Sequence, residues 1–250
     1  MNHNQYIDTI NRMNLDYFEM LGNLRGNEKH KEVNLHWLTG IIDYIYFVGE
    51  IEVDGVIRRM KDGEIPETIM FQVGDAQSEL FMDTGLFDKE IVAVMAHELC
   101  DTVLPEQDKE LSIYKVTEIS QLKAAGTILN TTRDFRLFSF GDYLDMMNGG
   151  QYFYLAEYDG LPVGACMAMD GEDFLALTWI GTLPGYRKLG IAGHIIQTAE
   201  REGIIRGKII GARNALPIAI GACKRVGYRE YGYTVTLTLK ETGCADSKQD

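Results

Sequence analysis

Cysteine is scarce. There are four, Cys100, Cys166, Cys223 and Cys244, and no two lie close together in the chain. Such spacing builds neither a disulfide framework nor a C-x-x-C metal site, and it reads as reduced thiols of a cytoplasmic protein. Long apolar runs are missing too. The most apolar stretch, residues 35–48, carries His36 and Asp43 and falls short of the ~18 residues that mark a membrane helix. Met1 to Gln5 lack the basic-then-apolar pattern of a secretory signal. Basic residues number 24 against 37 acidic ones, so the basic patch that nucleic-acid binding requires is absent. His97-Glu98 begins like a zincin motif, but Asp101 stands where the second His is needed. No metal, nucleic acid or membrane is therefore expected.

The 250 residues, 46% of them hydrophobic, can bury one large core or two smaller ones. Charge divides the chain. Residues 1–112 hold 22 Asp and Glu against 9 Lys and Arg, and the remainder holds 15 of each. The polar, proline-bearing segment 104–110 reads as a boundary. This gives an accessory domain over 1–110, a second domain over 111–240 and a flexible tail over 241–250. In the first domain, helices come first. Residues 35–52 read as strand or buried helix, since periodicity does not separate the two. Gly55 to Met60 is helical, Ile69 to Val73 a strand, and Ala76 to Thr84 a helix closed by Gly85. Asp88 to Cys100 reads as a further helix.

The second domain is more explicit. Asp159-Gly160 between two alternating runs, 151–158 and 162–169, is a two-residue hairpin signal. Phe174 to Ile180 is an apolar strand. Ile191, Ala192, Ile195, Ile196 and Ala199 mark one side of a helix. Between them lies Thr182-Leu-Pro-Gly-Tyr-Arg-Lys-Leu-Gly190. Strand, basic glycine-bearing turn and helix start together make an anion cradle: the first helical N–H groups have no internal partner, and the helix dipole is positive there. The spacing is neither a Rossmann nor a P-loop pattern. A strand, 208–213, is ended by Asn214. A helix from Leu216 to Arg225 follows, with Pro217 in its first turn, Lys224 and Arg225 in its last, and Gly227 beyond as a C-cap. In the final strand, Tyr231, Tyr233, Val235, Leu237 and Leu239 fall on one face by alternation.

Arg187-x-x-Gly190-x-Ala192, with Pro184 before it and Asn214, Lys224-x-x-Gly227-Tyr228 after it, resembles the acyl-CoA site of the GNAT superfamily of N-acetyltransferases. The resemblance covers residues 111–240. It implies an α/β (α+β) fold with a mixed, largely antiparallel sheet flanked by helices, here preceded by the second, smaller α/β domain. It implies acetyl-CoA as acyl-donor cosubstrate, with Ile180, Gly181 and Thr182 along the pantetheine arm. Arg187, Lys188, Leu189, Gly190, Ile191, Ala192 and Gly193 would take the pyrophosphate, and Asn214 would face the same cleft.

The family's usual general acid, a Tyr two residues before the Lys, is replaced by Ala222, leaving Tyr228 and Tyr186 as weak candidates. A CoA thiol titrates near 8.5, so its thiolate leaves fairly well without an acid. No carboxylate lies on the strand 174–182, and Glu172 and Asp173 read as turn residues rather than a base. His194 reads as a solvated or capping residue.

The implied reaction moves an acetyl group to a primary amine. The acidic first half favours a small cationic acceptor. The alternative is an acyl-CoA-binding sensor or scaffold without turnover. A homodimer is compatible with either. The order strand, helix, Gly-Leu-Phe over 69–87 echoes strand, helix, Gly-Tyr over 209–228, which suggests that the first half is a degenerate copy of the same fold. On that division, the second half would hold CoA by itself.

Overall fold

The computed structural model describes residues 3–97, 108–132, 138–215 and 217–240; residues 210, 212–215, 217–219 and 222 are described by their backbone. Cys100, Cys244, Glu98, most of the expected boundary at 104–110 and the tail 241–250 lie outside the described residues. Helix α1 (His3–Gly22) is followed by β1 (Asn27–Lys31), β2 (Leu35–Gly40), β3 (Tyr44–Val48), α2 (Val53–Lys61), β4 (Thr68–Phe71), α3 (Gln77–Asp83) and β5 (Phe87–His97). Then come β6 (Leu111–Lys115), α4 (Ile119–Thr131), α5 (Phe140–Asn148), β7 (Tyr152–Tyr158), β8 (Leu161–Asp170) and β9 (Phe174–Thr182). A 3-10 turn (Pro184–Tyr186), α6 (Ile191–Ile205), β10 (Ile209–Ala215), α7 (Pro217–Arg225) and β11 (Tyr228–Leu239) complete the chain.

The eleven strands among the described residues form one mixed sheet in the order β1-β2-β3-β4-β11-β5-β10-β9-β8-β7-β6. Two neighbour pairs are parallel, β3 with β4 and β9 with β10. The series β1-β2-β3-α2-β4-α3-β5 repeats as β7-β8-β9-α6-β10-α7-β11, so the two segments share element order and the place of their parallel pair. Each segment gives up its last strand. β5 sits between β10 and β11, and β11 sits between β4 and β5. The expected division near residue 110 is therefore not a division of the sheet, and one apolar core runs from α1 across to α4 and α5.

Local chemistry explains most elements. Asp159 and Gly160 have φ of 49° and 72°, the left-handed pair of a two-residue hairpin turn whose twist matches the strands. α4 and α5 begin with capping boxes, Glu118 with Gln121 and Ser139 with Asp142, which satisfy first-turn N–H groups. The ambiguous 35–52 stretch is the pair β2 and β3. The helix expected over 88–100 is instead β5 as far as His97, where the described residues stop. Val92 to Ala96 are all buried, because strands flank β5 on both sides and helices lie over its neighbours. A continuous apolar run loses its period under two-sided burial, and its valines suit a strand.

β11 also departs from simple alternation. The register steps from Glu230↔Met95 to Gly232↔Val94, so Tyr231 is an extra residue. This bulge turns Tyr231 to the α1 side, where it stacks on Tyr6, and leaves Tyr233 51% exposed on the opposite face. Asn214 lies inside β10 and does not end it.

α6 packs directly on β8. A Cβ added at Gly164 would come within 2.9 Å of both Ile191 and Ile195. Gly164→Val is expected to destabilise the chain by ~1–3 kcal/mol through overpacking. Urea unfolding reads this directly, and unchanged stability would mean that α6 is loosely seated.

Candidate functional site

The parallel ladder between β9 and β10 runs from Phe174↔Ile209 to Leu177↔Ala212 and stops there. β9 continues to Thr182 while still paired with β8, and a bulge at Thr178 marks the point where it turns away. A wedge therefore opens between the C-terminal ends of two parallel strands. The Leu183 N–H bonds the Val163 carbonyl. By the alternation of an antiparallel ladder, the backbone groups of Gly181 then face β8 and those of Ile180 and Thr182 face the wedge. The Thr182 carbonyl there accepts a hydrogen bond from Arg187 Nε at 3.2 Å. Gly181 turns its missing side chain to the other face, against Thr132 at the end of α4.

Beyond β9 the chain makes the 3-10 turn and then two left-handed residues, Lys188 (φ 70°) and Gly190 (φ 77°). Gly190 is the N-cap of α6, with no side-chain cap bond. The first helical bond runs from the His194 N–H to the Gly190 carbonyl at 3.1 Å. The N–H groups of Ile191, Ala192 and Gly193 therefore lack intrahelical partners. Arg187, Lys188, Leu189 and Gly190 are exposed in front of them. Open donors, the positive helix end and two cations at the mouth of a strand wedge fit a pyrophosphate with a narrow arm running into the sheet. The residues expected to bind, Ile180 to Thr182 and Arg187 to Gly193, are thus brought together. The backbone of Asn214 lies near the end of β10 across the wedge; its side chain is outside the described residues, as is that of Ala222.

The other expectations fare differently. Tyr228 is interior, 3% exposed, and burial beside Glu200 holds its phenol well above its usual value. Tyr186 is half-buried in the 3-10 turn with its ring 6.0 Å from that of Tyr158. His194 is not solvated: it is buried on α6, and burial, helped by Arg201, lowers its pKa. Cys223 is buried with its thiol pushed up to about 11 by burial and then by Glu200, so it is a neutral packing group. Asp173 pairs with Arg12 of α1 at 2.6 Å, at the opposite end of β9 from the wedge. β9 itself carries no carboxylate.

The corresponding place in the first segment, between β3 and β4 and at the start of α2, is filled by the chain itself. Only Ile45↔Ile69 pair there. The Gln72 side chain donates to the Tyr46 carbonyl and that of Gln77 to the Val48 carbonyl. Glu52 is the N-cap of α2, and a Cβ at Gly55 would lie 2.5 Å from its carboxylate. An internal anion therefore lies over the first turn, beside a cleft of about 680 Å³ also lined by Glu50 and by Glu32 and Glu64, which pair with Arg59. Sequence reading missed this contrast, although Glu50 and Glu52 precede α2 where Lys188 and Gly190 precede α6.

Residues 121–228 match the sequence profile of the Acetyltransferase (GNAT) family. No functionally curated protein matches the chain in sequence. Among solved structures, the chain is similar to a GCN5-related N-acetyltransferase from Kribbella flavida: 16% identity, 94% of this chain and 97% of the other covered, TM-score 0.69. It is also similar to a GCN5-related N-acetyltransferase from Sphaerobacter thermophilus, with 16% identity, coverage of 84% and 75%, and a TM-score of 0.62. A GCN5-related N-acetyltransferase-like protein from Streptococcus suis is 11% identical, with 93% of each chain covered and a TM-score of 0.59. At such identities the likeness is one of fold, and it extends over both segments.

Proposed function

With a GNAT acetyltransferase domain over residues 121–228, the chain is an acyltransferase, and we propose that it moves the acetyl group of acetyl-CoA to the primary amine of a small cationic acceptor. The observation that carries this reading is the open α6 N-terminus at the mouth of the β9–β10 wedge. Pyrophosphate sits on the N–H groups of Ile191 to Gly193, with Arg187 and Lys188 in front. The pantetheine arm extends along Ile180 and Thr182. A backbone N–H that faces the wedge, that of Ile180, is suited to hold the thioester oxygen as negative charge develops on it.

Amine attack requires the neutral amine, and no carboxylate on β9 serves as base. Solvent therefore takes the proton, and the thiolate leaves without a side-chain acid. The acidic excess of residues 1–112 draws a cation toward the enzyme. The first segment is a degenerate copy of the same fold. Its element order supports this, and the Glu52 carboxylate over the start of α2 disfavours an anion such as pyrophosphate there. No described helix is long and apolar enough to cross a membrane.

Release of free CoA from acetyl-CoA, measured while a panel of polyamines and other small amines is added, tests the reading. Amine-dependent release is expected, rising with pH as more acceptor becomes neutral. Saturable acetyl-CoA binding without release on any amine would favour the sensor reading, which the missing acid and base keep in view.

A further inference from the structure

Three buried polar atoms lack a hydrogen-bond partner, and Tyr228 links their residues: its ring packs against that of His97, and it couples electrostatically to Glu200. Glu200 Oε1, the Tyr228 hydroxyl and His97 Nδ1 are each enclosed and unbonded. Their residues are 4%, 3% and 8% exposed. They come from three elements: Glu200 from α6, Tyr228 from the start of β11, and His97 from the end of β5. Tyr228 and His97 are register partners, with ring centroids 5.4 Å apart. The Tyr228 hydroxyl is near enough to Glu200 to act on it as a weak hydrogen-bond donor, but the geometry falls short of an ordinary hydrogen bond. One orphaned buried group costs ~1–3 kcal/mol. Three on residues linked through Tyr228 call for a missing partner. The neighbouring side chains of Met95, Ala199, Cys223 and Val226 are 3% exposed or less, so the position is closed to bulk solvent.

We propose that Glu200, Tyr228 and His97 bind one internal water molecule, and that this hydrated hub fastens β5 of the first segment to the helix that carries the cradle. The donor count closes. The Val226 carbonyl holds the other ring nitrogen of His97, which leaves Nδ1 as an acceptor in the neutral ring. Water donates one hydrogen to Nδ1 and the other to Glu200 Oε1, and it accepts the Tyr228 O–H. Three bonds are what a buried water typically makes. The hub is polar but uncharged while Glu200 holds its proton. The titratable groups around it are Tyr228 on β11, His97 on β5, Cys223 on α7 and Cys166 on β8. Among the described residues none of these is a cation able to compensate an ionised Glu200. Burial lifts that carboxyl to about 7, with the Tyr228 hydroxyl opposing the rise.

The sign of the pH dependence follows. A carboxyl with its pKa raised in the folded state imposes no penalty below its ordinary value near 4.5. The penalty grows between 4.5 and about 7 and is complete above that. The hub thus tightens in mild acid and loosens in mild base.

A crystal structure of the full chain at high resolution, grown near pH 6, should show one water within hydrogen-bond distance of all three atoms. An empty or apolar-filled position overturns the proposal. Urea unfolding of the full chain and of Glu200→Gln, compared between pH 5 and pH 8.5, supplies the second test. The ratio of their unfolding constants should change by about 10²-fold across that range, with wild type losing ground in base. A constant ratio overturns the proposal. Tyr228→Phe should move the infrared C=O band of protonated Glu200 and raise the pH at which it disappears. A packing role for the phenol ring leaves both unchanged, and that result also counts against the hub.

Discussion

Gly190→Glu abolishes saturable binding of acetyl-CoA, whereas Gly190→Asn keeps most of it. Two effects act together in the first variant. A side chain at φ 77° is strained by ~1–2 kcal/mol for most residues, while Asn tolerates that region. The Asn variant therefore isolates the second effect. A carboxylate beside the open N–H groups of Ile191 to Gly193 occupies the anion position and repels the pyrophosphate. Individual charge contacts at a helix end are worth ~0.3–1 kcal/mol, and up to ~2 when partly buried. Losing several, with repulsion added, amounts to a fall in affinity of more than about a hundredfold. The first segment provides an internal precedent, since Glu52 already lies over the start of α2. Isothermal titration of both variants with acetyl-CoA checks this. Equal affinity in wild type and Gly190→Glu would place the pyrophosphate elsewhere.

A chain beginning at residue 108 gives no soluble, acetyl-CoA-binding domain. The profile match over 121–228 and the charge division both suggested that the second half could stand alone. The sheet says otherwise. β5 is hydrogen-bonded to β11 from Phe87↔Leu239 to His97↔Tyr228 and to β10 on its other side. Removing it leaves two long strands with bare facing edges in the middle of the sheet, a template for aggregation. It also strips Val94 and Met95 from the core, both at 0% exposure. Size-exclusion chromatography and circular dichroism of the fragment test the point. Co-expression of the two pieces, cut between 98 and 107, should restore a folded, binding-competent pair. A monomeric 108–250 fragment with wild-type affinity would show that the exchanged strands are dispensable.

What could be read from the chain follows from how local each signal is. Asp159-Gly160 fixed its hairpin because both residues need positive φ, and nothing distant enters. The cradle was legible for the same reason: strand, cationic turn, left-handed glycine and helix start are contiguous. β5 was misread because burial on both faces removes the period that separates strand from helix. Tyr231 was placed on the wrong face by a bulge that alternation cannot reveal. The exchange of last strands and the packing of His97 against Tyr228 join residues more than a hundred positions apart, and no spacing rule reaches that far. Ala222 and the carboxylate-free β9 were also legible in sequence, as departures from the pattern that the resemblance implies.

The exchanged strands also set a timetable for biogenesis. β5 ends at residue 97, and β11, its partner along its whole length, ends at residue 239. At ~5–20 residues per second, the ribosome needs roughly 7–30 s to make the intervening stretch of about 140 residues. Throughout that interval the first segment has neither β11 between β4 and β5 nor the cover of the second. Its apolar strand Ile91 to Ala96 waits as an unpaired edge. Contacts of such long sequence separation fold slowly. The nascent chain therefore depends on holding chaperones more than a half-sized, self-contained domain would, and its yield in a heterologous host should respond to growth temperature and synthesis rate before it responds to changes at the active site.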